Sequence, residues 1–105
     1  MDIQLRRGLL DYSVLAVLKE KDSYGYMIIK KMDSILPISE STLYPILKRI
    51  EGNGLVVSYS VEHNGRLRKY YRLTEKGHDS LKNFVESWHE VETVINYIKG
   101  AVDNE

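Results

Sequence analysis

The 105-residue chain contains no cysteine. That excludes disulfides, thiolate metal sites and cysteine nucleophiles, and it suits a reducing compartment. Proline is scarce, with only Pro37 and Pro45. There is one tryptophan, Trp88, and one phenylalanine, Phe84, so the eight tyrosines supply most of the aromatic surface. No apolar run approaches the roughly 18 residues of a membrane span. The opening MDIQLRRGLL lacks the charged, apolar and small-residue order of a signal peptide. The expectation is a cytoplasmic protein with no membrane partner. Its length suits one compact domain with a modest core, which burial by a second chain would help.

Net charge is also lacking, with 15 Lys and Arg against 15 Asp and Glu. The balance conceals an asymmetry. Residues 1–73 carry 12 cations against 8 acids, and residues 74–105 carry 3 against 7. GRLRKYYRL, Gly65 to Leu73, holds four cations and no acid. A local basic patch favours polyanions whatever the total.

The first helix is expected from about Leu5 to Glu20. It has two apolar stripes, one of Leu10, Val14, Val17 and Leu18, the other of Leu5, Leu9, Tyr12 and Ala16. A helix apolar on two sides must be covered on both. A second helix follows over about Tyr24 to Ile35, with Ser23 as N-cap and Tyr24, Met27 or Ile28, and Ile35 towards the core. Pro37 breaks the chain. In STLYPILKRI, Leu43, Ile46, Leu47 and Ile50 recur at helical spacing. Pro45 fits if the helix starts within Ser39–Thr42, because a first-turn proline loses little bonding. Facing Leu43, Ile46, Leu47 and Ile50 inward turns Ser41, Pro45 and Lys48 outward, flanked by Tyr44 and Arg49. Asn53 or Gly54 ends the helix in the left-handed conformation.

Asn64-Gly65 then sits between runs rich in Val, Tyr and Ser. That is the strongest short hairpin signal, since a type I′ turn needs positive φ at both central positions. Counting outwards pairs His63 with Arg66, Val61 with Arg68 and Tyr59 with Tyr70. Val56, Tyr71 and Leu73 fall on the core face, and the tip presents Asn64, Gly65, Arg66 and Arg68. A final helix, about Glu75 to Gly100 with Thr74 as N-cap, carries Leu81, Phe84, Trp88, Val91, Ile95, Ile98 and Val102 at alternating spacings of three and four. Such a seam calls for a partner helix, and a homodimer also covers the second stripe of the first helix. The alternative is an intramolecular contact with the first helix alone.

Three helices, a basic hairpin and a dimerising helix make a winged helix-turn-helix. The third helix of such a domain enters the DNA major groove. Hydroxyls, tyrosine and cations on its outer face suit phosphates and base edges, as do the wing cations, although either surface can be merely solvated. Catalysis finds no support. His63, His78 and His89 are dispersed, and there is neither a nucleophile motif nor a phosphate-binding glycine loop. Glu86 and His89 have the Glu-x-x-His spacing of metal-binding bundles but point away from the seam. No metal or cofactor is expected. Trp88, in the middle of the seam, has two readings: a packed anchor of the interface, or, near a two-fold axis and with Leu5, Leu9 and Tyr12, one wall of a flat apolar slot. Glu92, one turn on, would meet a cationic ligand.

SYGYMIIKKM, ISESTLYPILKRIEGNGLV and GRLRKYYRLTEKG, in that order, resemble the PadR family of bacterial transcriptional regulators. The resemblance covers residues 5 to about 100. The short C-terminal helix is similar to that of the small-subfamily members, which dimerise through it. FVESWHEVE further resembles multidrug-binding members, in which a tryptophan of that helix lines a central pocket. Met27 stands where the family often has an acid, and Leu67 interrupts the basic run of the wing. The resemblance implies repression by operator binding, relieved by a small molecule. Its DNA-contacting set falls on Ser41, Thr42, Tyr44, Pro45 and Lys48 of the third helix, and on Arg66, Arg68 and Lys69 of the wing; Asn64 joins them at the tip. Its ligand set falls on Trp88 and Glu92, with Val85, Leu5, Leu9 and Tyr12 nearby.

The expectation is therefore a mainly α fold with a small β-hairpin. Residues 1–73 form a winged helix-turn-helix and residues 74–105 a dimerisation helix, with Leu81, Phe84, Trp88, Val91, Ile95 and Ile98 at the interface. The function expected is that of a homodimeric repressor on a pseudo-palindromic double-stranded operator, released by a small aromatic or cationic ligand. The rival readings are a winged-helix module for protein partners and a constitutive regulator without a ligand.

Overall fold

The structure is a computed structural model that describes residues 1–104. Glu105, which ends the expected C-terminal segment, lies outside the described residues. Helix α1 spans Ile3–Glu20, two residues earlier than the apolar stripes alone indicate. The two extra residues come from Asp2, whose carboxylate accepts from the Gln4 and Leu5 N–H groups at 2.9 and 3.1 Å. That satisfies two of the donors a helix start leaves open. Leu10, Val14, Leu15, Val17 and Leu18 are buried, whereas Leu5 and Ala16 remain exposed.

Strand β1 is Ser23–Tyr24 and helix α2 is Gly25–Met32. Two expectations are corrected here. Ser23 does not cap the second helix; it pairs with Tyr71 as strand, and the helix begins after Tyr24. The helix also stops at Met32, so Ile35 is 51% exposed. Ile28 and Met32, four apart, supply the buried side chains, and Met27 lies on the outer side.

Helix α3 spans Glu40–Gly52 with Ser39 at its N-cap. Leu43, Ile46, Leu47 and Ile50 are all buried. Each such aliphatic side chain contributes about 1.5–3 kcal/mol on burial. Pro45 is one turn deeper than a first-turn site. It lies within the helix, and the Ser41 carbonyl has no N–H to accept from four residues on. Ser41 is exposed, so water can take that carbonyl. Gly54, at φ +75°, is the left-handed residue after the helix, and Asn53 is the C-cap.

Strands β2, Val56–His63, and β3, Arg66–Leu73, form the hairpin in the expected register, with His63 opposite Arg66, Val61 opposite Arg68 and Tyr59 opposite Tyr70. Asn64 at φ +52° and Gly65 at φ +79° make the turn. Val56, Tyr71 and Leu73 enter the core. Short β1 adds to the other edge of β3, so the sheet has three strands in the order β1-β3-β2.

Helix α4 runs Glu75–Asp103, capped by Thr74, whose hydroxyl accepts from the Gly77 N–H at 3.0 Å. Only its first half meets the body. Leu81, Phe84 and Trp88 are half-buried, and from His89 onwards every described residue is exposed, including Val91, Ile95, Ile98 and Val102 of the seam. No helix among the described residues is long and apolar enough to cross a membrane.

Candidate nucleic-acid interface

The outer face of α3 is set from behind. With its four aliphatic residues locked in the core, Ser41, Thr42, Tyr44, Pro45 and Lys48 are all exposed on the remaining sides. The hydroxyls of Ser41 and Thr42 lie 2.9 and 3.3 Å from that of Ser39, so three hydroxyls cluster at the helix start. The ring of Tyr44 runs back over Gly25, at the start of α2. Arg49, on the flank of this face, is already occupied. Its guanidinium donates through Nε to the Asp11 carboxylate at 3.0 Å, and through a second nitrogen to the other oxygen, in a partly buried bidentate pair. Hydrogen bonding to Asp11 holds the Arg49 pKa above its ordinary value, against the opposing effect of burial. Arg49 therefore clamps α3 to α1.

The wing cations divide by strand alternation. Arg66 and Arg68 share one face of β3 with Tyr70 and Arg72, while Lys69 lies on the face of Leu67 and Tyr71. Asn64 and Arg66 are exposed at the tip. Arg68 is not at the tip in the same sense: its guanidinium lies 4.0 Å from the centre of the Tyr24 ring. From there a ladder continues inwards. Tyr24 meets Tyr70 edge-on at 5.3 Å, Tyr70 stacks with Tyr59 at 5.7 Å, and Arg72 lies 4.9 Å above Tyr59. Asp22 closes it, accepting from the Tyr59 hydroxyl at 2.5 Å and from Arg72 Nε at 3.2 Å. These contacts fasten the base of the wing to the segment between α1 and α2. The sequence gives no local sign of Asp22 or Asp11 as partners, since each acts on residues more than thirty positions away.

The residues considered for a ligand are only partly brought together. Tyr12 stacks face to face with Phe84, with ring centres 4.0 Å apart and planes 13° apart, and Phe84 stacks in turn on Trp88 at 5.8 Å. Leu9 is half-buried, and Leu5 and Glu92 are exposed. Val85 points elsewhere, into a groove of about 660 Å³ that it shares with Ala16, Lys19 and Leu81. Glu86 and His89 are both exposed, and no three His, Cys, Asp or Glu converge as a metal site among the described residues.

A helix-turn-helix with a polar outer helix face that carries Lys48, a basic wing and a long terminal helix defines a winged-helix regulator of transcription. The comparisons agree. The family model for the transcriptional regulator PadR-like family matches residues 14–83, and the chain belongs to that family. A PadR family transcription regulator from Clostridium difficile R20291 is 35% identical, with 84% of this chain and 95% of that one covered and a TM-score of 0.78. A PadR family transcriptional regulator from Eggerthella lenta DSM 2243 is 36% identical, with 91% and 86% covered and a TM-score of 0.81. PadR of Bacillus subtilis, whose structure was solved with operator DNA, shares the fold at 23% identity and a TM-score of 0.69, over 73% of this chain and 46% of that one.

Proposed function

We propose that the protein is a homodimeric, sequence-specific repressor acting in the cytoplasm on a pseudo-palindromic double-stranded operator. Residues 1–73 read the DNA and residues 74–105 join two copies. One observation carries the reading: the apolar side of α3 is wholly buried, while Ser41, Thr42, Tyr44, Pro45 and Lys48 stand exposed together on the other. Each protomer inserts α3 into a major groove, N-terminal end first. Asn64, Arg66, Arg68 and Lys69 lie along the adjoining backbone, and Arg68 is pre-oriented by its stack on Tyr24. The operator-bound relative supports this assignment through its shared fold.

The exposed seam of α4 supports the dimer. Val91, Ile95 and Ile98 are between 37% and 54% exposed in the single chain, an arrangement suited to burial against a second α4. Leu81, Phe84 and Trp88 continue the same interface towards the body. A flat aromatic or cationic ligand stacks at the open edge of Trp88, with Leu5, Leu9 and Tyr12 around it and Glu92 as the acid for a cation, and its binding releases the operator.

The test is a mobility shift with the DNA upstream of the chain's own gene. The wild type should retard that fragment at low salt and prefer it over random duplex, and Tyr44→Ala should abolish the preference. A Tyr44→Ala protein with undiminished preference would remove α3 as the reader.

A further inference from the structure

The buried stripe of α1 changes character at its start. Leu10, Val14 and Val17 face the core, but one turn earlier the same side of the helix carries Arg6 and Arg7. Both lie where α1 emerges beside α3. With Ile3, Thr42, Pro45 and Arg49 they line an open groove of about 310 Å³. Its floor is apolar, from Ile3, Leu10, Pro45 and Ile46, and no acid lines it.

Nothing among the described residues accounts for these two cations. Among the described residues neither has an acidic partner within 4 Å, whereas Arg49 beside them is held by Asp11. Arg6 is half-buried and Arg7 exposed, so neither is a core residue. The groove is continuous with the proposed reading surface, because Thr42 and Pro45 belong to both.

We infer that Arg6 and Arg7 form a second, sequence-independent DNA contact. They hold a stretch of sugar–phosphate backbone beside the major groove that α3 enters. The apolar floor suits deoxyribose, and two guanidinium groups without acids suit the phosphates. The Leu5, Leu9 and Tyr12 stripe does not line this groove, so dimerisation through that stripe leaves it open. The inference rests on the DNA-binding reading above and extends its footprint to α1.

The experiment measures affinity for a random-sequence duplex across a salt series, for the full-length wild type and for Arg6→Gln, Arg7→Gln and the double variant. Melting temperatures are measured alongside. Each lost phosphate contact should reduce the slope of log affinity against log salt by about 0.9. The double variant should lose nearly 2 from the slope while melting at or above the wild-type temperature. A wild type that binds and a double variant that keeps its slope would overturn this inference alone. A double variant that melts well below the wild type would assign the arginines to the fold and overturn it equally. A wild type that binds no duplex even at low salt would overturn the reading beneath it.

Discussion

The ring of Tyr44 closes over Gly25: a Cβ placed on Gly25 would lie 3.0 Å from the Tyr44 hydroxyl oxygen and 3.6 Å from the carbon that bears it. The first residue of α2 thus makes room for the most prominent side chain on the outer face of α3. Gly25→Ala should move that ring by a few tenths of an ångström or turn it away. Helix propensity favours alanine by about 1 kcal/mol, so global stability should change little. Specific operator affinity should fall about tenfold, near 1.4 kcal/mol, with affinity for random duplex unaltered. Equal operator affinity for variant and wild type would show that the ring's position does not matter to reading.

The Asp11–Arg49 pair fixes the angle between α1 and α3, and its side chains are only 22% and 28% exposed. Hydrogen bonds of this charge-assisted, bidentate kind contribute about 1.5–3 kcal/mol. Asp11→Ala should therefore lower unfolding free energy by about 2 kcal/mol in a denaturant titration. Glu20→Gln, which breaks the Lys31–Glu20 contact, should cost no more than about 0.5 kcal/mol because both partners are well exposed. Similar losses for the two variants would deny the first pair its special place.

Donation to the Asp22 carboxylate holds the Tyr59 phenol above the ordinary tyrosine value of 10.0, with burial and the Asp22 charge adding to it and Arg72 opposing. The folded state therefore binds this proton more tightly than the unfolded state. Its stabilising effect is complete below the unfolded value and is lost as pH rises through the folded one. An alkaline titration followed by tyrosinate absorbance should show one of the eight tyrosines ionising late. Tyr59→Phe should remove that late step and lower the melting temperature at neutral pH. A variant titrating like the wild type would place the bond elsewhere.

The exposed α4 seam predicts its own disruption. Ile95→Glu puts a charge at a position 40% exposed in the single chain and central to the proposed interface. Burying that charge without a partner should weaken self-association by more than about 2 kcal/mol. Sedimentation should then show a monomer at concentrations where the wild type is a dimer, and the helical content of the first three helices should persist. A variant that stays dimeric would move the interface off this seam.

Period and turn chemistry made much of this fold readable. The Asn64-Gly65 turn fixed the hairpin register because both positions require positive φ, and one slip would have put Tyr71 and Leu73 in solvent. The α3 core face followed from four aliphatic side chains at helical spacing. Ser23 misled because it has the chemistry of an N-cap, yet pairing with Tyr71 decides its conformation, and no local pattern announces a two-residue strand. The outer face of α3 was legible as a direction. Its neighbours were not: Asp11 reaches Arg49 and Tyr44 reaches Gly25 only after three helices have packed. Wing alternation was implicit in the sequence, but Arg68's stack on Tyr24 depends on β1 joining the sheet.

Two glycines of α4 should respond to the same substitution with opposite sign. At Gly77 a Cβ would sit 2.2 Å from the Leu55 carbonyl oxygen and 2.5 Å from a Leu73 methyl. The first of these atoms is backbone, held by the hydrogen bond it accepts from the Thr74 N–H at 3.0 Å, so it cannot swing aside as a side-chain end would. Gly77→Ala must push the start of α4 off the sheet, and overpacking of this kind costs about 3 kcal/mol. Gly100 lies in the same helix, and a Cβ there meets nothing within 4 Å. Gly100→Ala should gain up to about 1 kcal/mol from helix propensity. Denaturant unfolding of both variants separates a glycine required by close approach from one that is merely tolerated. A stable Gly77→Ala protein would mean that α4 can shift on the domain at little cost, and with it the spacing of the two α3 helices in the proposed dimer.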